Sequence, residues 1–293
     1  MSQPRILLIG QNGQVGWELR RMLATLGALV SVDFPEVDLA DGASLRKWVR
    51  DTAPQIVVNA AAYTAVDQAE SEPDLAMKIN GVAPGVLAEE AKRLGALLVH
   101  YSTDVVFDGT KNAPYLEDDA PNPISAYGRS KLAGDRAVQA VGGLHLIFRL
   151  CWVYGARGQN FMLAMLRLAR EREKLRVVKD QVGTPTWCRL IAEATGSALR
   201  QVLETGDLGA FNGTYHLSAS GATSKHGFAE AIIRLMPAST RKCRKIEAIT
   251  TAEYPLPAAR SPHSVLCCDK LEDTFGLRLP DWEESLKLVM EEL

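Results

Sequence analysis

The chain lacks long apolar runs. The first candidate stops between Ile6 and Ile9, far short of the roughly 18 residues a membrane span needs. It is also too short for the apolar centre of a secretory leader. No later segment approaches that length, so a soluble, cytoplasmic protein is expected, with no membrane partner. An excess of one charge is missing as well. Lys and Arg number 33 against 35 Asp and Glu, a formal net charge of −2. That balance offers no general attraction to nucleic acid. Cysteine is scarce: Cys151, Cys188, Cys243, Cys267 and Cys268 are odd in number and irregularly spaced. Such a set excludes a disulfide framework and has no zinc-ligand rhythm.

What is present is a rhythm of strands and helices. The runs Arg5 to Gly10, Ala28 to Asp33, Gln55 to Ala62, Ala96 to Thr103 and Leu144 to Leu150 are rich in aliphatic residues and read as strands. Helical patterns separate them: Trp17 to Leu26 closed by Gly27, Asp41 to about Arg50, Asp74 to Leu94, and Tyr127 to Val141. Near-continuous apolar strands with helical crossovers predict an α/β fold, a doubly wound parallel sheet of Rossmann type. After Leu150 the rhythm loosens. A helix is expected over Phe161 to Leu175, a strand and loop over Arg176 to Thr186, and a helix over about Leu190 to Leu203. With 293 residues available, the expected division is a dinucleotide-binding part, 1–150 plus about 187–215. A smaller C-terminal substrate lobe then takes about 151–186 plus 216–293.

Gly10, Gly13 and Gly16 stand between the first strand and the first helix, with Gln14 and Val15 inside the motif. Glycine lets the main chain turn tightly and approach another group closely. The helix start that follows offers unpaired N–H groups and a partial positive charge, which suits a pyrophosphate. Asp33 ends the second strand. A carboxylate there binds ribose hydroxyls and disfavours a 2′-phosphate. Asp38 and Leu39 follow as candidate adenine contacts, although a helix-capping role for Asp38 is equally open.

The stretch "SAYGRSK" puts Tyr127 four residues before Lys131. Residues i and i+4 share a helix face, so the pair can touch. A surface pair is the plain alternative.

Taken in order, "GQNGQVG" (Gly10 to Gly16), "NAAAYTAVDQAESEP" (Asn59 to Pro73), "HYSTDVVFDG" (His100 to Gly109), "PISAYGRSKLAGD" (Pro123 to Asp135), "DQVGTPT" (Asp180 to Thr186), "GTYHLSASG" (Gly213 to Gly221) and "YPLPAARSPHSVL" (Tyr254 to Leu266) resemble the extended short-chain dehydrogenase/reductase family. The closer likeness is to its reductases of dTDP-linked 4-keto-6-deoxy sugars. The resemblance implies NADH or NADPH as cofactor and a dTDP-sugar as substrate. It places Ala62, Tyr63, Thr64 and Tyr101 beside the cofactor, together with Tyr127 and Lys131. Val66, Thr103, Asp104, Tyr127 and Trp152 would meet the sugar nucleotide, and Arg260 its diphosphate. Some members are described as dimers bridged by magnesium. Two of the glutamates involved correspond to Glu18 and Glu292, but Arg189 stands where a third is expected. A cation there opposes a hard metal. Magnesium is therefore doubtful, no metal ligand is assigned, and a homodimer is left as an open expectation.

These residue types suit carbonyl reduction. Hydride arriving at a ketone leaves negative charge on oxygen, which needs a hydrogen-bond donor and then a proton. Tyr127 is the expected proton donor. A lysine ammonium about 4 Å away favours phenolate by roughly 4 kcal/mol at an effective dielectric of 20. Lys131 is that ammonium, and the Thr103 hydroxyl holds the ketone oxygen. Ser102 is the rival for that role. His100, His145 and His216 lie in apolar runs and read as structural. Two other functions are weighed. Thr103-Asp104-Val105 lacks the Asp-Glu pair of dehydratases, but an epimerase is harder to exclude. A non-catalytic binding subunit is opposed by the intact Thr103, Tyr127 and Lys131.

Overall fold

The computed structural model describes residues 3–293. Its first half contains strands β1 (Arg5–Ile9), β2 (Ala28–Val32), β3 (Ile56–Asn59), β4 (Leu97–Thr103) and β5 (His145–Leu150). Between them run helices α1 (Gln14–Leu23), α2 (Gly42–Thr52), α3 (Pro73–Met77), α4 (Ala83–Leu94) and α5 (Ala126–Val141). The second half continues with β6 (Val153–Tyr154), α6 (Phe161–Glu171), β7 (Lys174–Val178), β8 (Val182–Gly183), β9 (Thr186–Trp187), α7 (Cys188–Thr205) and β10 (Gly213–His216). Last come β11 (Thr223–Ser224), α8 (Lys225–Leu235), β12 (Lys245–Ile249), α9 (Asp269–Phe275) and α10 (Trp282–Met290).

Six strands form one parallel sheet in the order β10-β5-β4-β3-β1-β2. Helices cover both faces, so β1 and β4 are buried almost throughout; β1 is aliphatic after Arg5, and β4 turns polar from His100 to Thr103 as it nears the sheet's carboxyl edge. The expected α/β, doubly wound class is the one observed. From β1 the chain runs outward to β2 and then crosses back to β3 on the other side. That reversal opens a crevice at the strands' carboxyl ends, where ligands of such sheets bind.

Local chemistry sets several boundaries. Asp41 accepts from the Ala43 N–H and caps α2, as read from sequence. Ser125 does the same for α5 through Gly128 at 3.1 Å. The first helix, expected to reach Leu26, ends at Leu23. Gly27 has another duty: a Cβ there would lie 2.1 Å from the Pro4 carbonyl oxygen. The helix expected from Asp74 to Leu94 is α3 and α4 joined by a π turn at Lys78–Val82. Pro84, which has no N–H to donate, sits in the first turn of α4 just beyond it. The helix expected to reach Leu175 stops at Glu171, and Leu175 and Val177 alternate with exposed neighbours in β7.

Candidate active site

The nucleotide side begins at the turn after β1. Gly10 has φ +91°, and a Cβ on it would approach the Ala61 nitrogen to 2.5 Å. A Cβ on Gly16 would lie 1.9 Å from the Gly10 carbonyl oxygen. The turn therefore closes only with glycine at both positions. Gly13 caps α1 with no side-chain acceptor, and no acid lies in the first turn. The helix N–H groups stay available to an anion. The Asp33 carboxylate accepts from Asn12 N–H and Phe34 N–H, both at 2.8 Å, and so sits against this turn. Gln14 accepts from the Asn160 side chain at 2.9 Å, tying the turn to later chain. Val15 packs between two cores. Asp38 folds onto the Ala40 N–H at 2.8 Å, and Leu39 packs into the core beside β2.

Beyond β3, Ala62 is half-buried and Thr64 exposed. The Tyr63 main chain is clamped at both ends by Asn80, at 2.9 Å each. Its phenol donates to Glu72 at 2.7 Å. Desolvation first, then this carboxylate, pushes Tyr63 up to about 12. Val66 is half-buried, and Asp67 next to it pairs with Arg260 at 2.8 Å.

Thr103 ends β4 buried, and its hydroxyl donates to Asp104 at 3.1 Å. The Tyr127 phenol neighbours both. Burial raises its pKa most, the Asp104 carboxylate adds to the rise, and the nearby Thr103 hydroxyl opposes it. Burial also pushes Asp104 up. Lys131 is 2 % exposed and donates to the Tyr101 carbonyl at 2.6 Å. Burial pushes it down to about 8, with Asp135 opposing. The expected lowering of the Tyr127 phenol by Lys131 is thus not what the structure shows. Desolvation and the Asp104 and Asp135 carboxylates raise the phenol instead, and the ammonium is engaged with a carbonyl. Tyr101 offers the site only its main chain, because its phenol meets Thr195 at 2.8 Å.

Trp152 follows β5 at φ +41°, a strained region for a bulky residue. Its indole lies against Gly183, where a Cβ would come 2.5 Å from Cε2. The Lys225 ammonium stands 3.5 Å above the ring centroid. Sequence reading missed Lys225, which becomes adjacent only through the β8–β11 pairing. It also missed Asp135, which forms a buried pair with Arg149 at 3.2 Å. A signal for Asp135 was there: it continues the i,i+4 face from Tyr127 through Lys131. His100 and His216 are buried, each with one ring nitrogen bonded, to Asn59 at 3.2 Å and to the Cys267 carbonyl at 3.1 Å. Their Nε2 atoms have no partner, so the structural reading of these two is met only at Nδ1.

The residues at the implied magnesium position do not fit a metal. The Arg189 guanidinium bonds both Glu292 and, at 3.4 Å, Glu18. A cation of the chain itself occupies the space between the carboxylates.

A doubly wound sheet, a glycine turn over a bare helix start, and Thr103, Tyr127 and Lys131 at one sheet edge define a dinucleotide-dependent oxidoreductase of the short-chain dehydrogenase/reductase type. The chain belongs to the family described as RmlD substrate binding domain, whose model matches residues 4–293. It is 50% identical over 294 residues to a dTDP-4-dehydrorhamnose reductase of Burkholderia thailandensis, covering 99% of each chain. A dTDP-4-dehydrorhamnose reductase of Escherichia coli K12 is 44% identical, with 98% and 97% covered. Among solved structures, the Bacillus anthracis dTDP-4-dehydrorhamnose reductase in complex with NADP superposes with TM-score 0.89 at 34% identity, covering 100% of both chains. A Thermus thermophilus UDP-glucose 4-epimerase with NAD reaches 0.79 at 20% identity over 98% of both chains, a likeness of fold alone.

Proposed function

We infer that this chain catalyses the NAD(P)H-dependent reduction of dTDP-4-dehydrorhamnose to dTDP-L-rhamnose. The carrying observation is the packing of the Tyr127 phenol against Thr103 and Asp104 at the sheet's carboxyl edge. Full-length identity to named reductases supports the substrate. The glycine turn, the α1 N-terminus and Asp33 hold the dinucleotide, and the Asp33 carboxylate favours a free ribose hydroxyl. When bound, the nicotinamide supplies hydride to the sugar's C4.

The chain's own residues handle the oxygen. Thr103 Oγ1 and Tyr127 Oη hydrogen-bond the ketone. As C4 gains hydride, its oxygen takes the proton from Tyr127 Oη, giving the alcohol and a phenolate. Burial keeps the phenol protonated in the free enzyme, so the proton is in place when the sugar binds, but it also makes the phenolate costly. Lys131 stabilises the phenolate left behind, and solvent restores the proton. Trp152, Val66 and Arg260 bind the sugar nucleotide.

The two-part division is supported by two separate cores. One joins the main sheet to α1 and α7, and the other joins α6, β7, α8 and α10. Leu271, Phe275 and Leu279 nevertheless pack on the sheet side. Dimerisation through contacts other than a metal remains part of this reading. Incubation with dTDP-4-dehydrorhamnose and each reduced cofactor, with dTDP-L-rhamnose identified as product, tests the assignment. An unreacted sugar with both cofactors contradicts it.

A further inference from the structure

Lys225 is the first residue of α8, fixed by its N–H to the Gln181 carbonyl at 3.1 Å and by the Ser224 cap. Its side chain turns inward over Trp152, at 3.5 Å from the ring centroid, and passes Phe161 at 5.0 Å. Among the described residues, no carboxylate lies within 4.0 Å of its nitrogen and no acceptor meets it. The other cations nearby are engaged: Lys131 by the Tyr101 carbonyl, Arg260 by Asp67 and the Ala258 carbonyl. Lys225 is thus a partly desolvated ammonium with three unused donors at the wall of the cleft. Its electrostatic neighbours are Cys151, Asp104 and Arg260.

We propose that Lys225 is a substrate-binding residue that donates, alongside Arg260, to the diphosphate of the sugar nucleotide. The inference rests on the reading of the site given above. An indole face holds an ammonium in place but accepts no hydrogen bond from it. Two cations close enough to feel each other's charge favour a multiply charged anion beside them over a neutral sugar hydroxyl. Burial and the Arg260 charge push the free ammonium down to about 8, and an anionic ligand raises it again.

The test is calorimetric binding of dTDP, which lacks the hexose, to wild type, Lys225→Met and Lys225→Arg. The expected loss for Lys225→Met is about tenfold or more, the scale of one charge-assisted hydrogen bond. Lys225→Arg keeps most of the affinity, and NADPH binding is unchanged in all three. Wild-type affinity for dTDP falls as pH rises through about 8, and that fall is absent in Lys225→Met. Unchanged dTDP affinity in a folded Lys225→Met, even with sugar-nucleotide turnover reduced, overturns the proposal. Wild type that binds NADPH but no dTDP removes the parent reading as well, and is told apart because the wild-type arm itself fails.

Discussion

The Lys131 ammonium donates to the main-chain carbonyl of Tyr101 at 2.6 Å, across the 30 residues that separate helix α5 from strand β4. The Asp135 carboxylate acts on it through charge alone and opposes its loss of the proton. The proposed mechanism divides the labour accordingly: Tyr127 gives the proton, and Lys131 supplies positive charge behind it while it stays protonated.

Tyr127→Phe removes the proton and one hydrogen bond to the ketone but leaves the glycine turn intact. Turnover is expected to fall about 10²-fold or more, with cofactor affinity near wild type. Steady-state rates and a cofactor titration on the same preparation check both halves. Turnover near wild type would exclude Tyr127 as the acid.

Lys131 must be charged to stabilise the phenolate. Its pKa is pushed down to about 8 by burial, so kcat/KM should be high below that pH and fall as pH rises through it. Asp135 holds the value up, so Asp135→Asn should move this limb to lower pH. A pH profile of kcat/KM for both proteins reads the shift. A limb that stays in place would detach it from Lys131.

The same carboxylate is structural. Asp135 and Arg149 pair at 3.2 Å with side chains 1% and 4% exposed. Arg149→Ala strands Asp135 in the core, and a broken buried pair costs about 3–5 kcal/mol. Denaturant unfolding should show a lowered midpoint, whereas an unchanged midpoint would mean the charge is neutralised elsewhere.

Gly183→Ala places a Cβ 2.5 Å from the Trp152 ring, and Trp152 sits at φ +41°, with little freedom to move away. The indole must shift out of the cleft. We expect kcat/KM to drop about ten- to a hundredfold, mostly through KM for the sugar nucleotide, with cofactor binding kept.

Arg189 satisfies Glu18 and Glu292 from within the chain. Activity should therefore be indifferent to chelator and to added magnesium. Arg189→Glu, which supplies a third carboxylate, should make sedimentation or activity respond to magnesium. Chelator-sensitive activity in the wild type would contradict this account.

The sheet was legible because its inner strands β1 and β3 are buried on both faces and so spell themselves in aliphatic residues. The glycine turn was legible because two of its positions tolerate no Cβ. Tyr127 and Lys131 were legible because they lie on one helix face. Their electrostatics were not: spacing locates an ammonium near a phenol but says nothing of desolvation, which raises the phenol, or of the Tyr101 carbonyl that takes the ammonium's bond. Lys225 was hidden for a different reason. It lies 73 positions after Trp152 in sequence, and only the two-residue pairing of β8 with β11 brings them together.

The most direct test follows reduced cofactor during complete conversion of a known amount of dTDP-4-dehydrorhamnose. One equivalent oxidised per sugar, with the dTDP-L-rhamnose formed in equal amount, is the predicted result. A changed sugar with no net oxidation of cofactor would mean that the nucleotide is recycled within the site, as in an epimerase, and would contradict the reductase assignment.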